Sequence, residues 1–83
     1  MIMKDILPIG SVVKLDGINY LVMIYGRNVV QSTTGKQYDY VGCPYPQGFI
    51  NNAYNIFFNK DAIETLVFKG YENQEEKILR TSL

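Results

Sequence analysis

The sequence predicts a mainly β fold: a small, strongly bent antiparallel sheet, or an SH3-like partly open barrel, of about five strands with a short C-terminal helix. Three observations predict it. Short runs rich in Val, Ile, Tyr and Phe recur along the chain, and these residue types suit a pleated, half-buried surface. Turn signals built from Gly, Asn, Asp and Pro separate the runs at short intervals. The chain has 83 residues, of which 47% are hydrophobic and 13% aromatic. That suits one packed domain over residues 1–83 and not a disordered tail.

Met1–Leu7 is a short lead-in, and Pro8 forces extended backbone before it. Ile9-Gly10-Ser11 turns into a first strand over 11–15, with Val13 and Leu15 on one face and Val12 and Lys14 on the other. Asp16-Gly17 is a strong hairpin signal. The next strand, Asn19 to Tyr25, is apolar on both faces, which predicts a central strand covered on both sides. Gly26-Arg27-Asn28 breaks or bulges it before Val29-Val30-Gln31. Ser32 to Lys36 is a polar turn with Gly35 at its tip, and a third strand runs from Lys36 to Val41. There Tyr38 and Tyr40 share one face, and Gly42, Pro44, Pro46 and Gly48 then end the strand. Pro44 to Asn52 is a loop whose Phe49 and Ile50 dock on the core.

Tyr54 to Phe58 is a fourth extended stretch. Asn59 caps a single helical turn, Leu66 to Lys69 returns to strand, and Gly70-Tyr71 ends it. Asn73 caps the last helix, with Glu76 completing a box-like pattern. Glu75 and Glu76 sit in its first turn, Lys77 and Arg80 towards its end, and Ile78 and Leu79 make its apolar contacts. The predicted core is Val13, Leu15, Leu21, Met23, Val41, Ile63, Val67 and Phe68.

Composition argues against several functions. Eight Lys plus Arg balance eight Asp plus Glu, whereas nucleic-acid binders draw most of their affinity from a basic excess. No histidine is present, which removes the usual general base, zinc ligand and pH switch. One cysteine forbids an internal disulfide. Cys43, with no histidine to activate it, reads as a small hydrophobe at a strand end and not as a nucleophile. Glu72 to Glu76 is the one acidic cluster, and a helix start explains it without a metal. No basic segment followed by a long apolar run opens the sequence, and no run reaches the roughly 20 residues of a membrane helix. The expectation is a cytoplasmic protein with no catalytic residue, cofactor or metal.

The aromatic residues are the remaining candidates. The stretch YDYVGCPYPQGF, Tyr38 to Phe49, holds four of the eleven Tyr and Phe residues. Tyr38, Tyr40, Tyr45, Pro46, Phe49 and Tyr54 are the candidate protein-interface residues, because Tyr offers apolar area with a polar tip and a proline-braced loop presents it rigidly. Tyr38 and Tyr40 could equally fill a small core. Stacking of nucleic-acid bases is the third use of such residues, and zero net charge opposes it.

Three strings carry a family resemblance: LPIGSVVKLDG at Leu7–Gly17, YDYVGCPYPQGF at Tyr38–Phe49, and FFNKDAIETLVFKGYENQEEKIL at Phe57–Leu79. Together they resemble a small Gram-positive bacterial family known as domain of unknown function 4176. The genes of that family typically stand beside LXG-type toxins of the type VII secretion system. The resemblance therefore implies a cytoplasmic accessory, chaperone or targeting factor that holds a secreted toxin or its carrier helices. It brings no catalytic residues and gives Cys43 no role. A toxin-neutralising immunity protein and a small-barrel nucleic-acid-binding module are the alternatives. Unpaired sheet edges invite either a partner strand or self-association.

Overall fold

The computed structural model describes residues 6–83; the first five residues of the lead-in lie outside it. Five strands form one open antiparallel sheet: β1 (Val12–Leu15), β2 (Leu21–Val30), β3 (Gln37–Tyr45), β4 (Ile56–Phe58) and β5 (Ile63–Phe68), in the order β4-β3-β2-β1-β5. Single 3₁₀ turns at Asn52–Tyr54 and Lys60–Ala62 precede β4 and β5, and helix α1 (Gln74–Arg80) closes the chain. The predicted mainly β architecture is therefore the observed one, with the barrel left unclosed.

β1 alternates as expected. Val13 and Leu15 point into the core with Val22, Ile24, Tyr40 and Phe58, and Ile6 of the N-terminal segment covers them. β2 is the middle strand, but only one of its faces is sealed. Val22 and Ile24 are buried, while Leu21 and Met23 on the other face are half-buried and Tyr25 is exposed. The expectation of two covered faces fails because the described residues supply no second layer to lay on the outer face. For the same reason four residues expected in the core lie outside it: Leu21 and Met23, and Val67 and Phe68 at 51% and 61% exposure. Val13, Leu15 and Val41 are buried as expected, and Ile63 packs against the core from β5.

The β2–β3 ladder carries a bulge at Tyr25, between Ile24 and Gly26, and β2 then continues to Val30. Gln31 and Gly35 close the turn, with Gly35 in the left-handed region at φ 74°. β3 does not end at Val41. It runs four residues further, through Gly42, Cys43 and Pro44 to Tyr45. Pro44 is tolerated because of its register. It lies opposite Val22, and its carbonyl accepts from Gly48 at 2.7 Å. Its nitrogen points the same way, off β2 and past the end of β4, where no ladder bond is lost. Phe49 and Ile50 do not reach the core; both are exposed.

Asn59 starts the turn at Lys60, yet its side chain caps nothing there. Its Oδ1 accepts from the Asp39 amide at 3.0 Å, while Asp39 Oδ2 accepts from the Lys60 amide at 2.9 Å. This exchange pins the start of the turn to β3. Ser11, fully buried, fastens the N-terminal segment to the end of β5: its hydroxyl donates to Pro8 O at 2.7 Å and accepts from Gly70 N at 3.0 Å. Ser11→Ala leaves the buried Gly70 N–H without a partner, a loss of about 2 kcal/mol. Urea unfolding followed by circular dichroism measures it. A loss near zero would mean that the N–H has found another acceptor.

Asn73 caps α1 as expected, accepting from Glu76 N at 2.9 Å. The helix does not dock through Ile78 and Leu79, which are 59% and 54% exposed. It docks through Glu76, which receives Arg27 of β2 at 2.7 Å, and through Leu83 just past its end, which packs against the core; Arg80 clasps Glu72 and Glu76 within the same segment. Arg27 decides the orientation. A desolvated guanidinium without a partner costs about 3–5 kcal/mol. Leaving two aliphatic side chains half exposed forgoes only about 2 kcal/mol.

Candidate functional site

The outer face of the sheet, closed over Val12 and Cys43 but open at Met23 and Phe68, is built around one cross-strand row. Phe68 of β5 lies opposite Val12 of β1, Val12 opposite Met23 of β2, and Met23 opposite Cys43 of β3. The next row places Leu21 opposite Tyr45. Side chains directly opposite one another project from the same face, so these residues share the outer face. They enclose an apolar groove of about 420 Å³ lined by Gly10, Val12, Leu21, Met23, Tyr45, Val67 and Phe68. Strands stand about 4.8 Å apart, so β5 to β3 spans about 14 Å. That width admits one α-helix, about 10 Å across.

A bulge shapes the wall at Phe68. Val12 pairs with Phe68 and Val13 with Leu66, which leaves Val67 as an extra residue. The local kink brings two consecutive apolar side chains, Val67 and Phe68, to the same groove. Two cations on or next to these strands are paired: Lys14 Nζ of β1 lies 3.6 Å from Glu64, and Lys69 Nζ, just past β5, lies 3.1 Å from Glu72. Beyond Met23, Phe49 folds back onto the outer face, its ring edge-on to Tyr25 at 6.2 Å. Burial raises the Tyr25 hydroxyl above its usual pKa, and the nearby Cys43 adds to the shift. Cys43 is itself buried, its thiol 3.8 Å from Met23 O and pushed up by that burial. A thiol held protonated and out of solvent is packing material and not a nucleophile.

The structure divides the six candidate interface residues. Tyr45 and Phe49 lie on the outer face, and exposed Pro46 turns the chain between them through a cis peptide bond. Tyr54 belongs to a second depression of about 330 Å³ with Tyr20, Pro44, Gln47 and Ile50. Pro44 shares its face with Val22, so this depression opens on the opposite side of the β2–β3 ladder. Tyr40 is not an interface residue. It is 1% exposed, stacked at 5.3 Å on Phe58, and its hydroxyl accepts from Leu7 N at 2.9 Å. Burial raises its pKa, against the smaller lowering by the Leu7 hydrogen bond. Tyr38 is half-buried, its ring 5.8 Å from that of Phe57.

The groove residues Leu21, Met23, Val67 and Phe68 are the ones that sequence reasoning put in the core. One signal did point to them. β2 is apolar on both faces in a chain with one short helix, and a seven-residue helix cannot cover a second face. Among the described residues, no group of three acidic, cysteine or histidine side chains converges to hold a metal, and no helix is long and apolar enough to cross a membrane.

Neither the curated proteins nor the solved structures give a match to this chain. A family model does match, over residues 6–79, spanning all five strands and most of α1. The chain belongs to the family described as Domain of unknown function (DUF4176).

Proposed function

We propose that this protein is a non-enzymatic binding module that acts in the cytoplasm and holds an apolar segment of a protein partner in its outer-face groove. One observation carries the reading: an apolar groove wide enough for a single helix stands open on the sheet, walled by Tyr45 on one side and by Val67 and Phe68 on the other. Apolar patches of this kind, rimmed by polar residues, mark interaction sites. The resemblance drawn from the sequence makes a toxin secreted by the type VII route, and the helices that carry its export, the first partner to test. The protein then serves as an accessory, chaperone or targeting factor for that toxin. An apolar face held against the body of the sheet suits the holding of an amphipathic helix by its i, i+3, i+7 side chains.

The test is co-expression with the toxin encoded beside it, followed by size-exclusion chromatography with light scattering. The expected result is a complex that leaves toxicity intact and that Met23→Glu or Val67→Glu weakens at least tenfold. Both positions line the groove, and among the described residues no cation lines it to meet a carboxylate there. Tyr71→Glu, at a residue 79% exposed outside the groove, should leave the complex unchanged. A complex that abolishes toxicity replaces this reading with immunity. No complex at all overturns both, and single-stranded nucleic acid at low salt is then the next ligand to try.

A further inference from the structure

The outer face carries a projection as well as a hollow. Phe49 stands 60% exposed at the end of the Tyr45–Gly48 turn, braced by Tyr25. The groove lies beside it on the same face. A face bearing one knob and one hole is self-complementary under a two-fold axis, the usual symmetry of small homodimers. We infer that a second copy of this chain covers the outer face when no partner is bound, each copy seating its Phe49 in the groove of the other.

The area available supports this occupant. Tyr25, Tyr45, Phe49, Val67 and Phe68 range from 39% to 61% exposed. At about 200 Å² for each aromatic side chain, with Leu21 and Met23 added, two such faces cover roughly 1,000 Å² or more. That reaches the lower bound of about 1,000 Å² for a specific interface. Electrostatics do not oppose it: formal net charge is zero, so two copies meet without long-range repulsion. The alternative route to a dimer, edge to edge, is blunted. β4 is three residues long, and β5 is bulged at Glu64 and Val67, both recognised devices against edge pairing. Finally, a sheet with two apolar faces needs a layer on each, and the described residues supply only one.

Self-association of the purified protein tests this independently of any toxin. Light scattering across a wide concentration range should show a reversible dimer of the 9.5 kDa chain. Phe49→Ala removes the knob and Met23→Glu spoils the hole; each change acts twice in the homodimer, so at about thirtyfold per lost anchor each should weaken it on the order of a thousandfold. Both sites lie off the buried core, and circular dichroism verifies the fold. Mixing the two variants is the decisive arm. Each variant homodimer lacks both knob-in-hole contacts, whereas the mixed dimer keeps one, so the mixture should associate more tightly than either variant alone. A monomer at every concentration overturns the inference. So does a dimer that neither variant weakens, and so does a mixture that associates no better than its components.

Discussion

Gly70→Ala should be the most damaging single-methyl change in the chain. A Cβ at this position would lie 2.3 Å from Ile9 O and 2.9 Å from Ser11 N, both backbone atoms. Neither can swing aside as the end of a long side chain would. The strand exit must move, and with it the Gly70 N–H that donates to Ser11 Oγ. Overpacking of this kind costs about 1–3 kcal/mol and the displaced hydrogen bond about 1 kcal/mol more. For a domain of this size the whole folding margin is about 4–12 kcal/mol. The melting temperature should therefore fall by about 15 °C, at roughly 4–8 °C per kcal/mol. Gly17→Ala is the control. Gly17 has nothing within 4 Å of its Cβ position but sits at φ +77°, so it bears only the left-handed backbone penalty of about 1–2 kcal/mol. Equal losses at the two sites would refute the steric account.

The same junction shows what was readable in the sequence and what was not. Gly70 is identifiable as a strand end, because an aliphatic run stops there. Its role as the place where the N-terminal segment crosses β5 is not, since the contact joins residues 59 positions apart. Local signals fared well elsewhere for the same reason. The Asn73 cap, the Gly35 turn and the Val13/Leu15 alternation each depend on a few neighbouring residues and on backbone preferences that the residue types carry with them. β3 ran past Val41 because Pro44 falls at a register position where its missing N–H faces no strand, and register is set by β2 and not by β3 itself. The groove was the largest miss. Leu21, Met23, Val67 and Phe68 have the hydrophobicity of core residues, and hydrophobicity alone does not say which of two faces will be covered. Counting layers would have said so. Tyr45 and Phe49 are exposed because a proline- and glycine-rich loop cannot bury its aromatics easily, whereas Tyr40 is buried because a hydroxyl-bearing ring fills a core equally well once Leu7 N supplies its partner.

The ion pairs that hold α1 give the second large effect. Arg27 is the most enclosed cation among the described ion pairs, its side chain 5% exposed, and beyond Glu76 its one other partner among the described residues is Leu7 O, at a long 3.4 Å. Glu76→Gln leaves that guanidinium with a weak neutral acceptor. The shallow position of the pair moderates the cost, which should be about 2–3 kcal/mol, read from urea unfolding at neutral pH. The pH dependence follows from the same contacts. Hydrogen bonds from Arg80, with a smaller contribution from Arg27, hold the Glu76 carboxyl below the ordinary 4.5. Arg80 and then Lys69 do the same to Glu72, and the two carboxylates hold the Arg80 guanidinium above its usual value. A folded-state pKa below the unfolded one means that the unfolded chain takes up protons first as pH falls. The stabilisation is therefore complete above about pH 5 and is lost as pH drops through 4.5 towards the lower folded value. Wild-type protein should lose stability over that range, and Glu76→Gln should show a shallower acid limb, keeping only the contribution of Glu72. Salt discriminates further: exposed pairs such as Lys14–Glu64 weaken as ionic strength rises, while the enclosed Arg27–Glu76 pair is screened far less. If Glu76→Gln and wild type lose stability in parallel below pH 5, the helix is not held by this pair, and the packing of Leu83 against the core must hold it instead.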